Sequence, residues 1–257
     1  MTAVEALKAC IVVVTLAYTS ILDIKTREVE PRLWVLPGVA VGLLSLLELP
    51  AVLGRVGLVE LLASLAGSGI VVLAILAMYL AGMMGGGDLF ASALILAAHP
   101  WPFLLRDVMP ALLPLFFYAS LAAALPSIYF LTLNLLRYRG ELARLEDCGP
   151  LCKAYLAATS LPVRVSDYLS SRTWFFPLEM VGENGSRTLR RSFDVEEEPS
   201  EHRERLRRLV EAGVLSPSER IWVSYGIPFL VPLLVGYLAY LAVGGEPLLR
   251  LIATITG

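Results

Sequence analysis

Six apolar windows recur along the 257-residue chain, and most of them approach the roughly 20 residues that a helix needs to cross a lipid bilayer. They cover residues 4–22, 33–53, 58–83, 88–105, 110–136 and 222–244. The pattern predicts an all-α integral membrane protein with six transmembrane helices. A last apolar stretch, residues 247–255, is too short to span and is expected to lie along the surface.

Charged side chains are concentrated between the fifth and sixth windows. Of the 84 positions from 137 to 220, 28 are charged, against 16 of the other 173. Because a charge at the bilayer centre costs about 2.5–3.5 kcal/mol, this segment should face water. We therefore predict three parts: residues 1–136 with transmembrane helices 1–5, a small α+β cytoplasmic insertion at 137–221, and residues 222–257 with helix 6 and the tail. Inside the insertion, the pattern indicates a β-hairpin around residues 182–186 and an amphipathic helix at 201–212.

The orientation follows from the basic residues beside the spans, since Lys and Arg are retained on the cytoplasmic side. Lys25, Arg27 and Arg32 follow the first window, and Arg137 and Arg220 flank the insertion. If these positions are cytoplasmic, both termini lie outside, which agrees with an even number of spans. The expected location is the cytoplasmic membrane.

Composition also limits the ligands. The net charge of −2 gives no reason to expect nucleic acid as a partner. Cys148 and Cys152 are too few for a tetrahedral zinc site of about four ligands, so we expect no metal and no cofactor. We favour structural or unused thiols at these two positions over a disulfide.

Two aspartates are expected at the same depth. Asp23 ends the first apolar window, and Asp88 opens the fourth after three glycines. Both then lie near the cytoplasmic ends of their helices, although an aspartate at such a boundary is often only a solvated helix cap. The glycines permit a close approach by another backbone beside Asp88, such as an extended peptide, but small residues also serve helix packing. Spacing alone does not separate these two explanations.

Three motifs resemble those of a known family. Residues 85–88, Gly-Gly-Gly-Asp, match the G-x-G-D motif of intramembrane aspartyl proteases, and residues 23–29, Asp-Ile-Lys-Thr-Arg-Glu-Val, resemble the D-x-K-x-R-x-[IV] stretch of archaeal prepilin and preflagellin peptidases. Residues 226–232, Gly-Ile-Pro-Phe-Leu-Val-Pro, are similar to a run in the last span of those proteins. The order of the motifs and the spans between them also agree with this family.

The resemblance implies an aspartic endopeptidase with Asp23 and Asp88 as catalytic residues and with Gly85, Gly87, Lys25 and Arg27 as supporting motif residues. It implies pilin or archaellin precursors with class III signal peptides as substrates, cut at the cytoplasmic face of the bilayer. The sequence departs from many relatives at Phe90, where they carry a lysine.

Two other classes of protein share some of these sequence features. A presenilin or signal peptide peptidase-like protease would add a P-A-L motif, but residues 110–112 lie too early in the chain for that role. A proton-coupled transporter could use paired carboxylates, yet the sequence shows no repeats of the kind that transporters use.

Overall fold

The computed structural model describes residues 2–82, 84–101, 111–145, 148–170, 175–190, 197–226 and 228–256. These residues form two compact units. The first contains residues 1–123 and 228–257, and the second contains residues 124–227.

The helices, in chain order, are α1 (Ala3–Thr26), α2 (Arg32–Val56), α3 (Leu58–Leu80), α4 (Gly86–Ala98), α5 (Leu112–Arg137), α6 (Arg139–Ala143), α7 (Pro150–Thr159), α8 (Val165–Ser170), α9 (Pro199–Glu211), α10 (Leu230–Val243) and α11 (Glu246–Thr256). The strands are β1 (Ser160–Arg164), β2 (Phe175–Pro177), β3 (Glu179–Val181), β4 (Arg187–Leu189) and β5 (Arg220–Tyr225).

Four of the described helices, α1, α2, α3 and α5, are long and apolar enough to cross a membrane, and α10 with α11 makes a fifth if this bent pair is one span. The chain is thus a mostly helical membrane protein with four to five candidate spans. The expected count of six is not confirmed, because the fourth window gives a described helix of only 13 residues, α4. Residues 102–110, which end that window and begin the fifth, lie outside the described residues.

The predicted start of the last span is wrong. Residues 222–225 belong to strand β5, and the helix begins only at Leu230. β5 is the central strand of its sheet, so Ile221, Trp222, Val223 and Ser224 are all buried. A strand that is buried on both faces has the same continuous apolar run as a helix, and hydropathy cannot separate the two.

The core of the first unit surrounds the two short apolar helices. Ala91, Leu94 and Ile95 of α4 are buried together with Leu233 and Tyr237 of α10. Around them pack residues of α1, α2 and α5, while the outward faces of the long helices expose many large apolar side chains. Such an exposed apolar exterior is the surface expected of a protein that lies in lipid.

The second unit is a small α+β module. A three-stranded antiparallel sheet has the order β1-β5-β2, with Pro162 and Pro177 on its edge strands, where proline is tolerated. The predicted hairpin is present, with Val181 of β3 paired to Arg187 of β4, and α9 lies where the amphipathic pattern predicts a helix. Buried Glu179 accepts hydrogen bonds from Arg187 and from the backbone N–H of Trp222, which ties the hairpin to the sheet.

Cys148 and Cys152 form a disulfide, which corrects the expectation of two unlinked thiols. Their Cα atoms lie 5.4 Å apart at the start of α7, well within the range that a disulfide bridges. The sequence spacing does not specify this backbone geometry, so the pattern left the bridge as the less favoured alternative.

Candidate functional site

Asp23 lies near the C-terminal end of α1, just before the chain turns toward α2. The C-cap residue is Arg27, in the left-handed conformation (φ 59°), and its N–H donates to the backbone carbonyl of Asp23. Thr26 stabilises the reversal, because its hydroxyl donates to the carbonyl oxygens of Leu22 and Glu28. The half-buried carboxyl of Asp23 accepts a hydrogen bond from the backbone N–H of Leu230 and interacts electrostatically with Arg27.

Asp88 lies in the first turn of α4 and is only 8% exposed. Gly85 is the N-cap residue, and its backbone N–H donates to the Asp88 carboxyl. The Asp88 backbone is held in the same turn, since its N–H donates to the Gly85 carbonyl at 3.2 Å. Asp88 is therefore a buried carboxyl group in the first turn of α4, where the helix dipole favours negative charge.

Asp88 and Asp23 lie near enough for their charges to interact. The opposite ends of the same helices are also joined. The Ser45 hydroxyl donates to the carbonyl of Ala97, at the end of α4, at 2.8 Å. The same hydroxyl accepts from Lys8, near the start of α1, at 3.3 Å. α1 and α4 therefore run antiparallel, with both aspartates at one end of the unit.

The three sequence motifs meet at this end. A methyl group placed on Gly87 would lie 3.7 Å from Cδ1 of Leu230 and 3.9 Å from Cβ of Val29. Gly87 belongs to the glycine motif, Val29 to the stretch that begins at Asp23, and Leu230 to the motif at residues 226–232, where α10 begins. Segments that are separated by up to 201 positions in the chain thus form one site.

The four supporting motif residues differ in how closely they approach the two aspartates. Gly85 and Gly87 contact the site directly, and half-buried Arg27 interacts with Asp23. Lys25 is exposed in the last turn of α1, where a cation interacts favourably with the helix dipole. Its contribution to the site remains a prediction.

The glycine run before Asp88 has two explanations, close packing between helices or room for the backbone of another peptide. Among the described residues, the atoms nearest to methyl groups placed on Gly86 and Gly87 belong to side chains, at 3.6 Å or more. No described backbone of this chain packs closely against either glycine. The close backbone packing occurs instead at Gly236 of α10, where an added methyl would lie 2.6 Å from backbone atoms of Leu115 and Ala119 in α5.

The sequence did not single out the Leu230 N–H as part of the site. Any residue except proline offers this donor, so no residue type marks it. The sequence marks the Leu230 N–H only indirectly, through Pro228 in the same motif. A proline near the start of a helix predicts where the free N–H groups of that helix begin. Within the described part of the chain, no three His, Cys, Asp or Glu side chains gather as a metal site would require.

Several helices long and apolar enough to cross a membrane, and two aspartates at one end of the helical unit, are the features that the fold and the site provide. Comparison with known families specifies the class of protein further. Residues 10–128 match the model of the type IV leader peptidase family. Residues 152–245 match a model described as archaeal peptidase A24 C-terminus type II. The chain belongs to the type IV leader peptidase family, in its archaeal branch, and is a membrane peptidase of the prepilin-peptidase type. No curated protein matches the chain.

Proposed function

We propose that the protein is an aspartic endopeptidase whose catalytic pair is Asp23 and Asp88. The observation that carries the proposal is that the three motifs meet at one end of the helical unit, where both aspartates lie and interact electrostatically. Both are the aspartates of the family-like motifs, and the least exposed of the two, Asp88, lies beside a glycine run that no described backbone covers.

The chemistry follows from two adjacent carboxyl groups that share one proton. The ionised carboxylate takes a proton from a water molecule, whose oxygen attacks the scissile carbonyl carbon. The protonated carboxyl donates its proton to the carbonyl oxygen, and a tetrahedral intermediate forms. When that intermediate collapses, the C–N bond breaks and the leaving nitrogen receives a proton from the carboxyl that first acted as the base.

Leu230 and Arg27 have roles in holding this pair. The Leu230 N–H fixes one oxygen of Asp23, and the Arg27 charge stabilises its ionised form. Gly85 does the same for Asp88 through its backbone N–H. Each carboxyl is therefore oriented by a backbone donor at the start of a different helix, α10 or α4.

The proposed substrates are precursors of pilin-like proteins, with a short basic leader followed by an apolar helix. The family supports this class of substrate. We place the aspartates at the cytoplasmic face of the cytoplasmic membrane, with six spans and both termini outside, because the basic residues beside the spans favour that side. Exposed Glu28 and Glu30 then lie in the loop after Asp23, where they could attract a basic leader.

The alternative functions have less support. Glu48, a candidate for ion transport, is engaged by Lys8 at 2.6 Å, and Glu60 is exposed at the start of α3. Neither lies beside Asp23 and Asp88 in the described contacts. Of the P-A-L residues of a presenilin-like protease, Pro110 lies outside the described residues, and Ala111 and Leu112 are buried in the core cluster.

The test replaces each aspartate with asparagine, which keeps the volume but cannot exchange a proton. Asp23→Asn and Asp88→Asn should each abolish leader removal, and the double variant should be no worse, since losses within one catalytic unit are not additive. Asp167→Asn is the matched control, because Asp167 is exposed in α8 of the second unit. Conversion of a precursor is measured by gel mobility, with equal amounts of folded enzyme in detergent. Substantial cleavage by either variant, or its loss in the control, would contradict the assignment.

A further inference from the structure

The chain bends sharply after α10. The axes of α10 and α11 differ by 89°, and the bend falls at Gly244 and Gly245. Gly244 has φ 67° and ψ −158°, a conformation that is essentially restricted to glycine. Its N–H donates to the Tyr240 carbonyl at 2.8 Å, and its carbonyl accepts from the Tyr118 hydroxyl at 2.9 Å. The bend is therefore a fixed part of the fold.

α11 has two chemically different faces. Glu246, Arg250 and Thr254 follow one another at intervals of four residues, so they lie on one side of the helix. Arg250 pairs with Glu246 at 2.7 Å. The other side carries four large apolar side chains: Leu248, Leu251, Ile252 and Ile255.

The apolar face of α11 covers no core in the described part of the chain. No residue of α11 is buried, and the side chains of Leu251, Ile252 and Ile255 are 43%, 40% and 76% exposed. An amphipathic helix of 11 residues, about 16 Å long, is too short to cross a bilayer. Its apolar face therefore needs a partner that the described residues do not provide.

The geometry points to the bilayer surface as that partner: we propose that α11 lies in the membrane interface, with Leu251, Ile252 and Ile255 against the acyl chains and Arg250 at the level of the headgroups. α10 is apolar along its length and exposes Val235, Leu238 and Val243 on its outer side, as a helix in lipid does. If α10 crosses the bilayer, a helix at 89° to it runs nearly parallel to the membrane plane. Amphipathic helices in this position bury their apolar face about 5–10 Å into the boundary between headgroups and acyl chains.

The test measures the depth of single positions in the full-length protein, reconstituted in vesicles of phosphatidylcholine and phosphatidylglycerol. A Cys10→Ser background removes the free cysteine and retains the disulfide. Spin labels are attached to Ile252→Cys and Ile255→Cys on the apolar face, and to Thr254→Cys on the polar face. Accessibility to oxygen, which concentrates in lipid, is compared with accessibility to a water-soluble nickel chelate.

The ratio of oxygen to chelate accessibility should be several-fold higher at 252 and 255 than at 254, with the apolar-face labels just below the headgroups. Leu238→Cys in α10 provides a reference for deeper lipid, and Ser170→Cys in the second unit a reference for water. Labels that are equally deep at all three positions would show that α11 continues a broken span. Chelate access at all three would show that it lies in water, and low access to both reagents at 252 and 255 would show a protein partner such as a second copy. Each of these three results overturns the proposal.

A second measurement needs no substitution in α11. Amide hydrogen exchange of the unmodified chain, in lipid nanodiscs, should show α11 protected relative to the N-terminal turn of α9, where Ser200 and Glu201 are exposed. Exchange in α11 as fast as in that turn would contradict an interfacial helix independently of the labels.

Discussion

Gly236 provides the sharpest structural prediction, because its neighbours are backbone atoms that cannot move as a side chain can. A methyl group at this position would lie 2.6 Å from the Ala119 nitrogen, 2.6 Å from the Leu115 carbonyl oxygen and 2.9 Å from Cα of Ala119. Ordinary contacts are about 1 Å longer. Gly236→Ala must therefore push α10 away from α5, and overpacking of this kind costs typically 1–3 kcal/mol, here at the upper end.

The assay is thermal unfolding in detergent, followed by tryptophan fluorescence at one fixed scan rate. For a unit of this size, about 3 kcal/mol lowers the apparent melting temperature by roughly 6–12 °C. Gly69→Ala in α3 is the matched control, because no described atom beyond its own turn of helix lies within 4 Å of a methyl group there and alanine favours a helix by up to about 1 kcal/mol. Suppose that the melting temperature of Gly236→Ala, like that of Gly69→Ala, is equal to or higher than that of the unmodified protein. The close packing of α10 on α5 would then be refuted.

Three further predictions concern single interactions. Lys8→Met leaves the Glu48 carboxylate without its partner and should lower the stability of the first unit by about 3–5 kcal/mol, with partial recovery in Lys8→Met/Glu48→Gln, both measured by thermal unfolding. Asn134→Ala removes the two donors to the carbonyls of Ala157 and Ser160, which should cost about 1–3 kcal/mol and give faster hydrogen exchange in α7, while exchange in α1 is unchanged. Replacement of the Leu230 amide by an ester removes the N–H that Asp23 accepts, so kcat for leader removal should fall about 10–100-fold with little change in KM. An ester at Leu234 is the control for the last case, and equal kcat values in the two esters would refute a role for the Leu230 donor.

The sequence predicted the features that depend on residue type and period. Alternating and 3.6-residue patterns located the hairpin and α9. The span boundaries predicted Asp23 and Asp88 at the same depth, and both lie at one end of the first unit. It also predicted a membrane protein of the archaeal prepilin-peptidase family, which the family matches confirm. The catalytic role of the two aspartates stays a prediction until the asparagine variants are measured.

The features that were missed depend on backbone placement. β5 has the composition of a span, and only its pairing with β1 and β2 shows that it is a strand. Gly236 is one of 20 glycines, and nothing in the sequence shows that this one contacts another backbone. The disulfide between Cys148 and Cys152 likewise depends on how the chain enters α7.

The lengths of the helices connect the fold to the proposed reaction. α4 has 13 residues and α10 has 14, so each is about 20 Å long, whereas the hydrocarbon core of a bilayer is about 30 Å thick. Both are held at their C-terminal ends: Ser45 binds the Ala97 carbonyl of α4, and Tyr118 binds the Gly244 carbonyl after α10. Relative to a helix that spans the bilayer, α4 and α10 are therefore shortened at their N-terminal ends. At these ends the Gly85 and Leu230 N–H groups contact the carboxyl groups. Two full-length helices in these positions would place apolar turns over the aspartates. Two short helices instead leave their N–H groups beside the carboxyl groups, at the end of the bundle where we propose that the substrate is cut.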